Sequence, residues 1–422
     1  MNNSSGSVGL TLLRNAMKLF STPNLLSRLS LAALLLLGVA GCDDSLSEKT
    51  DLDFIDVPTY DSSSVAYVPI LPAIEGLSQP VDVLVGYDEL IYVVDAATEE
   101  IIQYDQANNR LSAMTIPGVR AVAQDRQLNL LALGTFDTVI NDINYALPTI
   151  YRINPIGENT VLSLNNAEIA NRIVHPFYFK IGFSNSDANV SLNDLDVLAD
   201  GSYYVTRSGP SNSPTKFGGP DNAVLRFSAS DQWETFLPIT TEQGVVNNYF
   251  DEPGAITTFA KPPQGPFVDK TEDFIVAVRG IGTAIKVQYI LATTSSTGDE
   301  QFRLNSDLVL GDTSQAEGFL YEANRFVEPS GVTVTGDGSN LLFVTDTELD
   351  SLYVFTWQGL EGVNPPPGSD ATKNINVSFG GEGDNPTEFQ DPVAVAYTNE
   401  LVYVCDRNNG RILRFRLTTD FQ

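Results

Sequence analysis

The most restrictive feature of this chain is a motif that occurs three times. "QPVDVLVGYDELIYVVDAATEEIIQYD" begins at Gln79, "EPSGVTVTGDGSNLLFVTDTELDSLYVFT" at Glu328 and "DPVAVAYTNELVYVCDRNNGRILRFR" at Asp391. Each copy runs from a polar residue and a proline into an alternating apolar segment, a short polar turn and a second apolar segment closing on Asp. A further turn and a third apolar segment follow. Pro80, Pro329 and Pro392 correspond, as do Asp95, Asp346 and Asp406. Period-2 patterning punctuated by turn residues specifies successive antiparallel strands. One such unit cannot bury both of its faces, so the copies have to stack on one another.

The intervening chain divides on the same template. "VRAVAQDRQLNLLALGT" with "TIYRINP" gives a second unit, and "LNDLDVLADGSYYVTRSG" with "AVLRFSA" gives a third. "EPGAITTFA", "DFIVAVRGIG" and "TAIKVQYIL" give a fourth. The total is six units, each with strands A, B and C. A fourth strand, D, is expected in "RLSAMTI", "NTVLSLN", "WETFLPI", "FRLNSDLVL" and "NINVSFG". Helical periodicity is confined to residues 166–173, "NAEIANRI", where a short helix is expected. The three clear copies closely resemble the NHL repeat. That resemblance implies an all-β, six-bladed β-propeller of four-stranded antiparallel blades. The last unit has no sequence left for a D strand. The strand-like run "VAYVPILPAI" (65–74) precedes the first unit and is expected to supply it, closing the ring. Pro69 and Pro72 suit that outermost position, because an edge strand tolerates proline where an inner strand does not.

Upstream lies the apolar run "LSLAALLLLGVA" (29–40), preceded by Arg14, Lys18 and Arg28 and by no acid. It is too short to span a bilayer and has the layout of a secretory leader. "VAGC" closes it and resembles the bacterial lipobox. The resemblance implies cleavage before Cys42 and acylation of that cysteine, with the lipid bilayer as partner and two or three chains as the anchor. Met17 is an alternative start. The acidic segment that follows reads as a flexible tether. The expected organisation is a leader over 1–41, a lipid-anchored tether over 42–64 and the propeller over 65–422. The expected location is the bacterial cell envelope on the extracytoplasmic side, with inner membrane, outer membrane and surface all open.

Charge narrows the partners. With 24 basic and 53 acidic residues the net charge is −29, a field that repels nucleic acid phosphates and anionic lipid. With Cys42 committed to lipid, Cys405 has no disulfide partner and reads as a small buried hydrophobe in "VYVCD".

In propellers the D-to-A and B-to-C connections share one face, the top. Long insertions fall mainly there, at 136–148, 166–189, 208–222, 240–251 and 311–327, and elaborated loops on a rigid scaffold are where sites form. Asp95, Asp346 and Asp406, at the ends of B strands, read as turn caps. Arg207 ("YVTRSG") and Arg279 ("VAVRGIG") stand at the matching positions of adjacent units. They are expected to lie near one another, facing either a ligand carboxylate or phosphate or the chain's own acids.

Propellers of the gluconolactonase and regucalcin group hold a divalent metal at the top centre. Asn193-Asp194 resembles their "ND" element, whereas Ser78-Gln79, Pro253-Gly254 and Ser330-Gly331 replace the other three ligand positions. No G-x-S-x-G, H-E-x-x-H, paired CxxC or phosphate loop is present. The single histidine, His175, lies among apolar residues and reads as packed. "GDGSN" (336–340) and "GGEGDNP" (380–386) lack calcium-loop spacing and read as turns.

The expectation is therefore a membrane-anchored binding or interaction module for a protein, peptide or glycan. Arg207, Arg279, Asn193 and Asp194 are its candidate top-face residues. The alternative is a metal-dependent propeller hydrolase or lyase with altered ligands. No motif demands a cofactor, and a divalent cation such as calcium belongs to the alternative.

Overall fold

A computed structural model describes residues 62–157, 161–177, 183–262, 271–295, 298–308 and 313–421. The leader, Cys42 and the tether up to residue 61 lie outside the described residues. The fold is an all-β six-bladed propeller. From the innermost strand outward, blade 1 is Pro80–Val85, Ile91–Asp95, Glu100–Tyr104 and Arg110–Thr115. Blade 2 is Ala121–Gln124, Leu130–Ile140, Ile143–Asn154 and Glu168–Val174, and blade 3 is Ser191–Val197, Tyr203–Ser208, Ala223–Phe227 and Trp233–Phe236. Blade 4 is Pro253–Thr258, Phe274–Val278, Val287–Thr294 and Glu300–Leu304, and blade 5 is Pro329–Val334, Leu341–Asp346, Ser351–Thr356 and Phe379–Gly380. Blade 6 is Pro392–Thr398, Leu401–Asp406, Arg411–Leu417 and, at its outer edge, Tyr67–Pro69. Ring closure is as expected. Tyr67 pairs with Leu417, Val68 with Arg416 and Pro69 with Phe415, and an isolated bridge joins Ile74 to Ile412.

The B strands are continuously apolar because both of their faces are buried. In Ile91–Asp95, Ile91 and Val93 pack toward blade 6 while Tyr92 and Val94 pack toward blade 2. Period-2 geometry divides each strand between two seams in this way. The core is accordingly six apolar seams, one between each pair of neighbouring blades. Cys405 is a free, fully buried thiol in the seam between blades 6 and 1. Without the last seam, two apolar sheet faces would meet water, which is why the ring has to close.

Three elements differ from expectation. The outer strand of blade 2 is Glu168–Val174, the segment that reads as helix, and the sequence expected to supply it ends in the 3-10 turn Leu164–Asn166. Ile169 and Ile173 are spaced for a helix face, but Ile153 and Ile150 of the neighbouring strand take them as ladder partners. Strand pairing overrides the local period. Residues 136–148 form no loose loop either. The two long strands of blade 2 stay paired out to Ile140 and Ile143, turning at Asn141-Asp142, both with positive φ. Between blades 3 and 4, Ile239–Thr241 and Gly244–Val246 form a hairpin that extends blade 4 outward, Ile239 pairing in parallel with Phe302.

Candidate functional site

The A strands line the propeller axis. At the top they enclose a cavity of about 400 Å³, and below it a narrower passage of about 50 Å³. Val81-Asp82, Arg120-Ala121, Asn193-Asp194, Gly254-Ala255, Ser330-Gly331 and Val393-Ala394 contribute corresponding pairs of residues from blades 1 to 6. Gly331 is required by proximity, since a Cβ there would lie 2.7 Å from the Cα of Ala394.

Three arginines line the cavity: Arg120, Arg279 and Arg407, from blades 2, 4 and 6. Arg407 is neutralised, its Nε donating to Asp391 Oδ2 at 2.5 Å. Arg120 and Arg279 have no side-chain hydrogen bond or ion pair among the described residues. Desolvation in the mouth lowers the Arg120 pKa, and the charge of Arg279 lowers it further.

Two carboxyls stand at the floor, where the cavity meets the passage. Asp82 accepts N–H groups from Val83 at 2.8 Å and from Val122 of the next blade at 2.7 Å. Asp194 accepts them from Leu195 and from Ile256 of the next blade, both at 2.8 Å. Enclosure pushes the Asp82 pKa up to about 6 against the pull of those N–H groups. The same enclosure, followed by the charge of Asp82, pushes Asp194 to about 8. In the passage below, Asp196 is paired with Lys261 at 2.6 Å.

Of the residues singled out in the sequence, the structure brings Arg279, Asn193 and Asp194 together and leaves Arg207 out. Arg207 is 1% exposed. Its guanidinium donates to the carbonyls of Pro220 at 2.6 Å, Gly218 at 3.1 Å and Asp221 at 3.2 Å, fastening the loop of its own blade. The two arginines were expected at equivalent positions, and the strand register separates them. Arg207 stands opposite Leu192, as Asp95 stands opposite Pro80, whereas in blade 4 it is Val278 that stands opposite Pro253. Arg279 falls one residue later, and one residue along a strand turns a side chain to the other face. Its true counterpart is Arg407, which follows Asp406 opposite Pro392.

The aspartates at the ends of B strands cap as expected and reach further than their own turns. Asp95 accepts the N–H groups of Ser78 and Gln79, and Asp346 those of Val327 and Glu328, pinning the chain entering each blade. His175 is buried and packs edge-on against Phe177 at 5.2 Å.

Sequence reasoning missed Arg120, Arg407 and Asp82. Aligning the A strands on "LNDLDV" would have found two of them, since "VRAVAQ" puts Arg120 at the Asn193 position and "PVDVLV" puts Asp82 at the Asp194 position.

A divalent cation at the axis, as the lactonase resemblance implies, does not fit these residues. The Asn193 amide donates to Ser208 Oγ at 2.9 Å and to the Pro253 carbonyl at 2.7 Å. Gly254 occupies another ligand position, and a Cβ there would lie 2.9 Å from Arg279 Nε. Two uncompensated guanidiniums beside the centre repel a cation. Among the described residues no group of three or more His, Cys, Asp or Glu side chains could hold a metal.

Comparison with known proteins gives a family match over part of the chain and broad likeness of fold. The NHL repeat family model matches residues 389–415, within blade 6. No curated protein sequence matches the chain. Among solved structures, the PQQ-bound aldose sugar dehydrogenase of Streptomyces coelicolor superposes with a TM-score of 0.50 at 11% identity, over 86% of this chain and 99% of that one. A gluconolactonase from Xanthomonas campestris gives 0.44 at 12% identity, over 82% and 88%. An auxiliary nutrient binding protein from Bacteroides thetaiotaomicron gives 0.44 at 15%, over 81% and 70%. At these identities the likeness is one of fold: the chain carries an NHL repeat in its sixth blade and is built as a propeller.

Proposed function

We propose that this protein is a lipid-anchored binding module of the bacterial cell envelope, held on the extracytoplasmic side through Cys42, whose axial cavity takes an anionic group of its ligand. The observation that carries this reading is the pair Arg120 and Arg279, both facing the cavity and neither neutralised among the described residues. In a chain of net charge −29, uncompensated guanidiniums at an enclosed mouth are a positive focus that a carboxylate or phosphate satisfies through paired N–H donors. A volume of about 400 Å³ lies in the range of small-molecule and side-chain pockets. A metal-dependent hydrolase or lyase is the other reading of the same axis, and the absent ligand positions and the two cations weigh against it.

The test is a titration of the purified protein with acetate, butanoate and inorganic phosphate at constant ionic strength. At least one should bind with saturation, and the double variant Arg120→Ala, Arg279→Ala should lose that binding while keeping its melting temperature. An equal response of both proteins to every anion would overturn the reading.

A further inference from the structure

The cavity is electrostatically divided along the axis. Arg120 and Arg279 line only its upper part, whereas Asp82 and Asp194 also line the passage beneath. In sequence the acids sit one residue further along their A strands than the positions matching Arg120, about 3.3 Å deeper at the rise of a strand. Each level carries a pair of groups of one kind, two guanidiniums above and, below, two carboxyls that hold one proton between them near neutral pH. Arg279 acts on Arg120 through its charge, and Asp82 acts on Asp194 in the same way. Below, Lys261 is bound to Asp196 and reaches Asp82 only through its charge. Two neighbouring cations call for an anion, and two neighbouring carboxyls with one proton between them accept a cationic N–H donor in its place. Among the described residues no hydrogen bond or ion pair joins the two levels, the only hydrogen-bond donors to the carboxyls being main-chain N–H groups of the A strands.

We infer that the ligand group entering this cavity is dipolar: a carboxylate held between Arg120 and Arg279, and a protonated amine carried below it toward Asp82 and Asp194. This rests on the anion-binding reading above and narrows its ligand to the amino-acid class, whether free or as an end of a larger molecule. An ammonium is a compact cation with three donors, and it fits two acceptors whose N–H bonds leave lone pairs open. A simple carboxylate would satisfy only the upper level. A simple amine would satisfy only the lower one and would have to pass two guanidiniums to reach it.

The experiment compares matched probes on the purified protein by calorimetry at pH 7 and fixed ionic strength. The dipolar acids are glycine, β-alanine and 4-aminobutanoate, the anionic halves acetate and butanoate, and the cationic half butylamine. At least one dipolar acid should bind at least about tenfold more tightly than every half-probe, and Arg120→Ala should reduce that binding at least about tenfold. Asp82 and Asp194 also join blades, so their variants could fail to fold, and the probe series carries the test without them. If the anionic halves bind as tightly as the dipolar acids, the inference is wrong and the anion-binding reading stands. If no anionic probe of any kind binds, both fail. Saturable binding of calcium in place of the dipolar acids would overturn the inference by assigning the lower level to a metal.

Discussion

Arg207 and Arg279 carry the same charge on neighbouring blades, and the register gives them opposite roles. Replacing Arg207 by alanine leaves several carbonyls of residues 218–221 without their buried donor. Denaturant unfolding should report a loss of roughly 2–4 kcal/mol, with anion binding by the remaining folded protein unchanged. Arg279→Ala should do the reverse, keeping the melting temperature and weakening anion binding at least about tenfold. A common phenotype for the two variants would contradict the assignment. The difference was illegible in the sequence because both residues close an apolar run before glycine or serine. Which one faces the axis depends on the register: the bulges fall at equivalent places, between Leu192 and Leu195 in blade 3 and between Pro253 and Ile256 in blade 4, and Arg279 lies one residue beyond the position that Arg207 occupies. Asn193 and Asp194 were legible because an A strand reaches the axis in any propeller. Arg120 and Asp82 occupy the same two positions and needed only that comparison.

Strands and turns were easier to read than outer edges. B strands are apolar on both faces and close on Asp in three units, and the A strands of the same units open on Pro, so their pattern stands out. D strands see solvent on one side, and Phe379–Gly380 retains just two residues in its ladder. Between blades, long-range ion pairs were invisible from sequence. Arg226, on the third strand of blade 3, gathers Glu272 and Glu300 of blade 4, each at 2.8 Å. Partial burial, followed by the hydrogen bond to Glu272, pushes the Glu300 carboxyl up to about 7, well above its usual range. A carboxyl whose folded pKa is raised binds protons more tightly in the folded state. Its contribution to stability therefore falls as pH climbs from the ordinary carboxylate range through 7 and stays unfavourable above that. Glu300→Gln should raise the melting temperature at pH 8 relative to wild type and change it little at pH 4. A gain that is the same at both values would exclude this origin.

At the scale of the whole molecule, closure depends on a short seam. Deleting residues 65–74 exposes the strand Arg411–Leu417 as a new edge and uncovers Val65 and Tyr67's place in the seam between blades 5 and 6. Scanning calorimetry should show a large fall in melting temperature, accompanied by aggregation. Deleting residues 43–61 should leave the transition nearly unchanged, and equal effects from the two deletions would refute closure by this strand. The anchor is tested separately. Cys42→Ala should move the protein from the membrane fraction to the soluble fraction, and a wild-type protein without acyl mass by mass spectrometry would remove the lipid from the account.

The strand that closes the ring is also the strand through which the chain first enters it. Tyr67–Pro69 hangs on the outside of blade 6, and its ladder partner lies some 350 residues away in sequence, Ala66 and Thr418 exchanging hydrogen bonds across that interval. A force applied to the N-terminal end is therefore delivered first to this three-residue ladder and the Ile74–Ile412 bridge, before any complete blade is loaded. An optical-trap pull from the N-terminus should show an early, low-force rip of about ten residues. A pull between two interior blades should lack it.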